Sequence, residues 1–138
     1  MEETGHAIRR EMHVGKILPL HAGSAGRVLM AWDDDALRVA LAQQLESFTA
    51  LTVVDPEILR ADVERVHRAG WSFTEGERDT GAAGLSAPVF DAQARLVGAM
   101  TISGPTSRVT RALAEEWAED LVRAAETATR LLGGRIPY

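Results

Sequence analysis

The chain of 138 residues contains no cysteine. That excludes a disulfide framework, a thiolate nucleophile and cysteine-ligated zinc or iron–sulfur centres, and it suits a reducing, cytoplasmic compartment. Positive charge is short as well: 15 Lys and Arg stand against 20 Asp and Glu, a net charge of −5. A chain with this balance lacks the basic footprint that a phosphate backbone requires, so it binds DNA poorly on its own. No apolar run approaches the roughly 18 residues that span a bilayer, and the start, Met1-Glu2-Glu3-Thr4, is acidic where a secretory signal is basic. The expectation is a cytoplasmic protein with no membrane partner. Aromatic residues are only 5%, but hydrophobic residues reach 46% and charged residues 25%, the balance of a globular chain forming one domain over residues 1–138.

Periodicity supplies the elements. Ala7 to Val14 alternates apolar and polar residues and predicts a strand. Leu18 to Gly26 is a loop of small residues that runs into the apolar turn Val28 to Trp32. Asp33, Asp34 and Asp35 offer cap oxygens to a helix carrying Leu37, Leu41 and Leu45 on one face. Asp55-Pro56-Glu57 repeats that logic for a helix with Leu59, Val63 and Val66, closed by Gly70. Trp71 to Thr74 alternates, and Leu85 to Phe90 and Leu96 to Ser103 are two apolar runs joined by the polar Asp91 to Arg95, which reads as a hairpin. Gly104-Pro105 ends the second run. From Ser107 onward the pattern is helical, with Val109, Leu113, Trp117, Leu121, Ala125, Ala128 and Leu132 as one apolar stripe before Gly133-Gly134. This order predicts an α+β fold, an antiparallel sheet covered by helices. Three or four short strands make a thin sheet, so an edge is expected to be unpaired or supplied by another chain.

Enzymatic motifs fail on spacing. Gly84-Leu85-Ser86-Ala87-Pro88 lacks the second glycine of a nucleophile elbow and lies in a strand where that motif needs a strand-to-helix turn. His6, His13, His21 and His67 form no helix-borne metal pair and read as surface or loop histidines. Asp33 to Asp35 reads as a solvated helix start, and Trp71 and Phe73 as core. No catalytic residue, metal site or cofactor follows from these residues.

Two features leave alternatives open. Gly23-Ser24-Ala25-Gly26-Arg27 either presents free helix amides and a cation to an anion such as a carboxylate, or uses its glycines for close packing and Ser24 as a helix cap. Thr101 and Ser103 share one face of their strand, which is either solvated or lines a pocket.

Together, Leu18-Pro19-Leu20-His21-Ala22-Gly23-Ser24-Ala25-Gly26 and the later Ser86-Ala87-Pro88-Val89-Phe90-Asp91 with Ile102-Ser103-Gly104-Pro105 resemble the effector-binding domain of IclR-type transcription regulators, from about Val14 to Leu132. The resemblance implies a GAF-like antiparallel sheet flanked by helices that binds a small organic acid or aromatic metabolite, within a homo-oligomer of two or four subunits. It implies effector-binding positions at Ser24, Ala25, Thr74, Gly84, Thr101 and Ser103. Some members have an acidic residue at the position of Thr74 and a cysteine at that of Gly84, so a bulkier or less polar effector is expected here. The family's winged helix-turn-helix domain is expected to be absent from this chain, along with the first helix and strands of the effector domain, so that DNA is reached only through a domain carried elsewhere. The competing reading is a structural dimerisation module with a vestigial pocket and no ligand. A small enzyme is disfavoured because no nucleophile–base pair or metal set is readable.

Overall fold

In the computed structural model, residues 19–138 are described, and the strand expected over Ala7 to Val14 lies outside them. The chain runs α1 (Ser24–Trp32), α2 (Asp34–Leu41), α3 (Pro56–Ala69), β1 (Ser72–Glu75), β2 (Ala82–Phe90), β3 (Leu96–Pro105) and α4 (Arg111–Leu131). The strands form an antiparallel sheet in the order β1-β2-β3, and the expected α+β class holds.

Local chemistry explains the helix limits. Asp33 Oδ1 accepts from the amides of Asp35 and Ala36 and starts α2 one residue after α1 ends. Asp55 caps α3 through the Glu57 amide at 2.8 Å, Pro56 takes the first helical position, and Gly70 closes the helix at φ 88°. Thr110 caps α4 through the Leu113 amide. Leu45, expected on the α2 face, lies beyond the end of that helix but is buried with Met30, Ala40, Leu59 and Val63.

The sheet is covered on both sides. Phe73, Ala83, Leu85, Ala87 and Val89 point one way and pack with Leu121, Ala125 and Ala114 of α4. On the opposite side α1 lies along β2, from Ser24 beside Ser86 to Trp32, whose ring meets Phe90 edge-on at 6.0 Å. Helix α1 is thus held between the sheet and α3, and Val28, Met30 and Arg27 are fully buried.

The apolar stripe expected on α4 is shifted. Its buried residues are Ala114, Ala118, Leu121, Ala125 and Thr129, whereas Leu132 is 67% exposed and Trp117 only partly buried. Steps of four residues overshoot a helical turn of 3.6, so the row chosen from large side chains drifts around the helix, while the alanines let α4 approach the sheet. Thr129 has a specific role: its hydroxyl accepts from the Phe90 amide where the β2–β3 register shifts.

Candidate functional site

Strand alternation gathers hydroxyls on the α1 side of the sheet. Register sets Thr74, Gly84 and Ser103 side by side across the three strands, and Ser72, Ser86 and Thr101 in the row two residues away. Residues two apart on a strand share a face, so both rows look toward α1. The rows change in depth: Ser72, Thr74, Ser86 and Gly84 are buried, whereas Thr101 and Ser103 on β3 are exposed. The rows therefore run from buried at β1 and β2 to exposed at β3.

Ser24, the first residue of α1, joins them. Its hydroxyl lies 2.7 Å from Ser86 Oγ, which lies 2.8 Å from Thr101 Oγ1. When Ser86 accepts from one neighbour and donates to the other, the two bonds leave one proton free at an end of the chain, on Ser24 or on Thr101. The chain can therefore offer a ligand a donor at one end and an acceptor at the other, in either direction. Gly84 has a packing reason: a Cβ there would sit 2.7 Å from Ser24 Oγ. The room expected from glycine at this position is filled by that hydroxyl.

Four of the expected site residues, Ser24, Gly84, Thr101 and Ser103, thus come together, and Thr74 joins them in the Gly84 row at the buried end. Ala25 stands next to Ser24 in the first turn of α1 but is exposed. Ser86 and Ser72 were not among the expected residues. The signal was present, since Ser86 is two residues from Gly84 and Ser72 two from Thr74 within strands already read from the sequence.

The loop before α1 corrects two expectations. Ser24 does not cap the helix; the cap position is Gly23 at φ 124°, with no side-chain bond to the helix amides. Gly26 is needed for close packing, because a Cβ there would overlap the Leu20 carbonyl oxygen. Arg27 is not a free cation. Its Nε donates to Asp62 at 2.6 Å, its Nη1 to the His21 carbonyl at 2.7 Å and its Nη2 to Glu77 at 3.1 Å, with a side-chain exposure of 1%. Burial pushes the Arg27 pKa down, and Glu77 pulls it back up by charge and hydrogen bonding. Arg27 has no net charge to give to a ligand and instead ties α1 to α3 and to the turn after β1. That turn is also held by Thr49 Oγ1 donating to the Gly76 carbonyl and Thr52 Oγ1 to that of Glu77, both at 2.5 Å.

The described histidines have local roles. His21 donates from Nε2 to the Glu46 carbonyl at 2.7 Å and stacks on Phe48, and His67 packs against Trp32. Among the described residues no group of His, Asp and Glu is placed to hold a metal ion, and no helix is long and apolar enough to cross a membrane.

The family model for the bacterial transcriptional regulator IclR C-terminal domain matches residues 1–130. The chain belongs to the IclR family. The transcriptional repressor IclR of Escherichia coli K12 is 30% identical over 131 residues, which cover 94% of this chain and 48% of that protein. Among solved structures, an IclR regulator from a Silicibacter species matches with a TM-score of 0.80 at 26% identity, over 93% of this chain and 51% of that one. The inducer-binding domain of the Acinetobacter transcription factor PobR, crystallised as a double mutant with 3-hydroxybenzoic acid, matches with a TM-score of 0.76 at 24% identity, over 87% of this chain and 70% of that one. That last likeness speaks for the fold. This IclR-family chain spans about half the length of the curated relatives it matches, and it matches their C-terminal, effector-binding part. Those relatives are transcriptional regulators.

Proposed function

We propose that this domain senses a small organic acid or aromatic metabolite, held between the start of α1 and the hydroxyl rows of the sheet, and passes the signal on through a cytoplasmic homo-oligomer. DNA would be bound only by a winged helix-turn-helix domain, so effector binding acts on transcription by changing how subunits pack. The observation that carries the reading is the Ser24, Ser86 and Thr101 chain beside the Thr74, Gly84 and Ser103 row. A carboxylate suits this place because α1 has no acidic residue in its first turn and its cap position supplies no side chain, which leaves first-turn amides and the positive end of the helix open to an anion. With Arg27 neutralised by Asp62 and Glu77, recognition rests on hydroxyls and amides, and the aromatic or aliphatic body of the ligand sets its identity. The PobR domain bound to 3-hydroxybenzoic acid is a precedent for an acid on this fold.

The test is a thermal-shift screen of the purified chain against 3-hydroxybenzoate, benzoate and small aliphatic carboxylates, followed by titration of each hit. A ligand that binds only the folded state raises the melting temperature. Ala25→Leu should abolish the shift and leave the protein folded, because Ala25 is exposed. Ser103→Ala should cost about 0.5–1.5 kcal/mol of affinity. A folded protein that gives no saturable shift across the panel rejects the acid-sensing reading.

A further inference from the structure

The buried β1 end of the hydroxyl rows holds a group that the fold leaves unanswered. Ser72 is 2% exposed, and its hydroxyl has no hydrogen-bond partner among the described residues. It pairs across the strands with Ser86, whose own hydroxyl is engaged by Ser24 and Thr101. A buried hydroxyl without a partner destabilises the protein that carries it, and alanine would fill the position at no such cost. Thr129, a hydroxyl residue buried against the sheet at its other end, accepts from a backbone amide. Ser72 thus keeps a donor with no acceptor among the described residues, on the face and in the row that the hydroxyl chain occupies.

We infer that Ser72 is a specificity-determining contact of the effector site, donating its proton to a carboxylate or carbonyl oxygen of the bound molecule. This rests on the acid-sensing reading above and extends it: the ligand enters over the exposed β3 lip at Thr101 and Ser103 and reaches β1 with an oxygen acceptor at its inner end. A ligand whose inner end is a hydrocarbon leaves Ser72 unpaired and is discriminated against. Ser86 lies between the two ends and acts as a positioning residue, because the neighbour it donates to determines whether Ser24 or Thr101 keeps the free proton.

The absence of cysteine makes the test direct, since Ser72→Cys introduces a unique thiol of similar shape. The probe is methyl methanethiosulfonate, with which the thiolate forms a mixed disulfide and releases methanesulfinate. The folded variant should be modified, and 3-hydroxybenzoate should slow the modification if it is among the acids that bind. Modification only after unfolding in urea would overturn the inference and make Ser72 a sealed core group. A second variant needs no thiol: Ser72→Ala should melt at the same temperature as the parent or higher, and bind any acid found in the screen about three- to tenfold more weakly. Unchanged affinity in Ser72→Ala overturns the contact and leaves the sensing function standing. Modification of folded Ser72→Cys with no response of the parent to any carboxylate keeps Ser72 as a reachable donor and rejects the acid as its ligand class.

Discussion

The two faces of β2 carry opposite chemistry under different helices. On one face Leu85, Ala83, Ala87 and Val89 meet α4 through hydrocarbon, and the pairing tolerates small shifts because dispersion and burial have no fixed direction. On the other, Gly84 and Ser86 meet α1 through hydroxyls and a missing Cβ, and contacts of that kind hold only one geometry. Behind the second face lies Arg27, which locks α1 to α3 and the β1–β2 turn with directed bonds to two carboxylates and a carbonyl. The difference suits the α4 face to stability and, under the proposed function, the α1 face to recognition: a ligand can exchange hydrogen bonds with hydroxyls, but has nothing to exchange with a closed apolar core.

Substitutions can break or sharpen this comparison. The largest effect is expected from Arg27→Met, which leaves Glu77 partly buried without its cation and Asp62 with only the exposed Arg65, and should cost about 3–5 kcal/mol in urea unfolding. A cost below about 1 kcal/mol would mean that the recognition side is not locked in this way. Leu85→Ala on the α4 face should cost about 3 kcal/mol by cavity formation and spare the affinity of any bound acid per folded molecule. Lost affinity at unchanged fold would erase the division between faces. Gly84→Ala should cost about 1 kcal/mol, because the new Cβ turns Ser24 away from Ser86; adding Ser24→Ala should recover part of that cost, a coupling read from the double-mutant cycle.

The smallest effect concerns the hairpin turn beyond both faces. The Arg95 amide, and after it the Gln93 amide, hold the Asp91 carboxylate below its ordinary value of 3.8. A carboxylate with a lowered folded pKa contributes stability that is complete above the ordinary value and is lost as the pH falls from there through the folded value. Melting temperatures measured between about pH 2 and pH 5 should therefore fall less steeply in Asp91→Asn than in the parent. Parallel curves would show that the turn does not report on this carboxylate.

Much of this architecture is legible in the chain. Asp33 and Asp55 cap their helices where the sequence indicates, Gly70 closes α3, and Leu85 to Phe90 pairs with Leu96 to Ser103 as a hairpin. These features depend on neighbours within a few residues, so pattern is enough. That Ser24, Gly84, Thr101 and Ser103 lie together also follows from the pair of motifs shared with IclR regulators. Ser72 and Ser86 are harder to see, because a serine inside a strand looks the same whether it faces water, a hydroxyl or nothing. Arg27 misleads, since a cation beside a glycine loop looks available until its partners arrive from positions 35 and 50 residues away.

The sequence by itself determined the helix caps, the strand periods, the acidic and cysteine-free character, and the motifs that mark the family, all of them local or compositional. Only the tertiary fold settled which strand rows lie side by side, that α1 covers the hydroxyl face and α4 the apolar one, that Arg27 is neutralised, and that Ser72 has no acceptor among the described residues. Each of these is a relation between residues distant in the chain, and hydrogen bonding and charge pairing depend on where both partners end up in space.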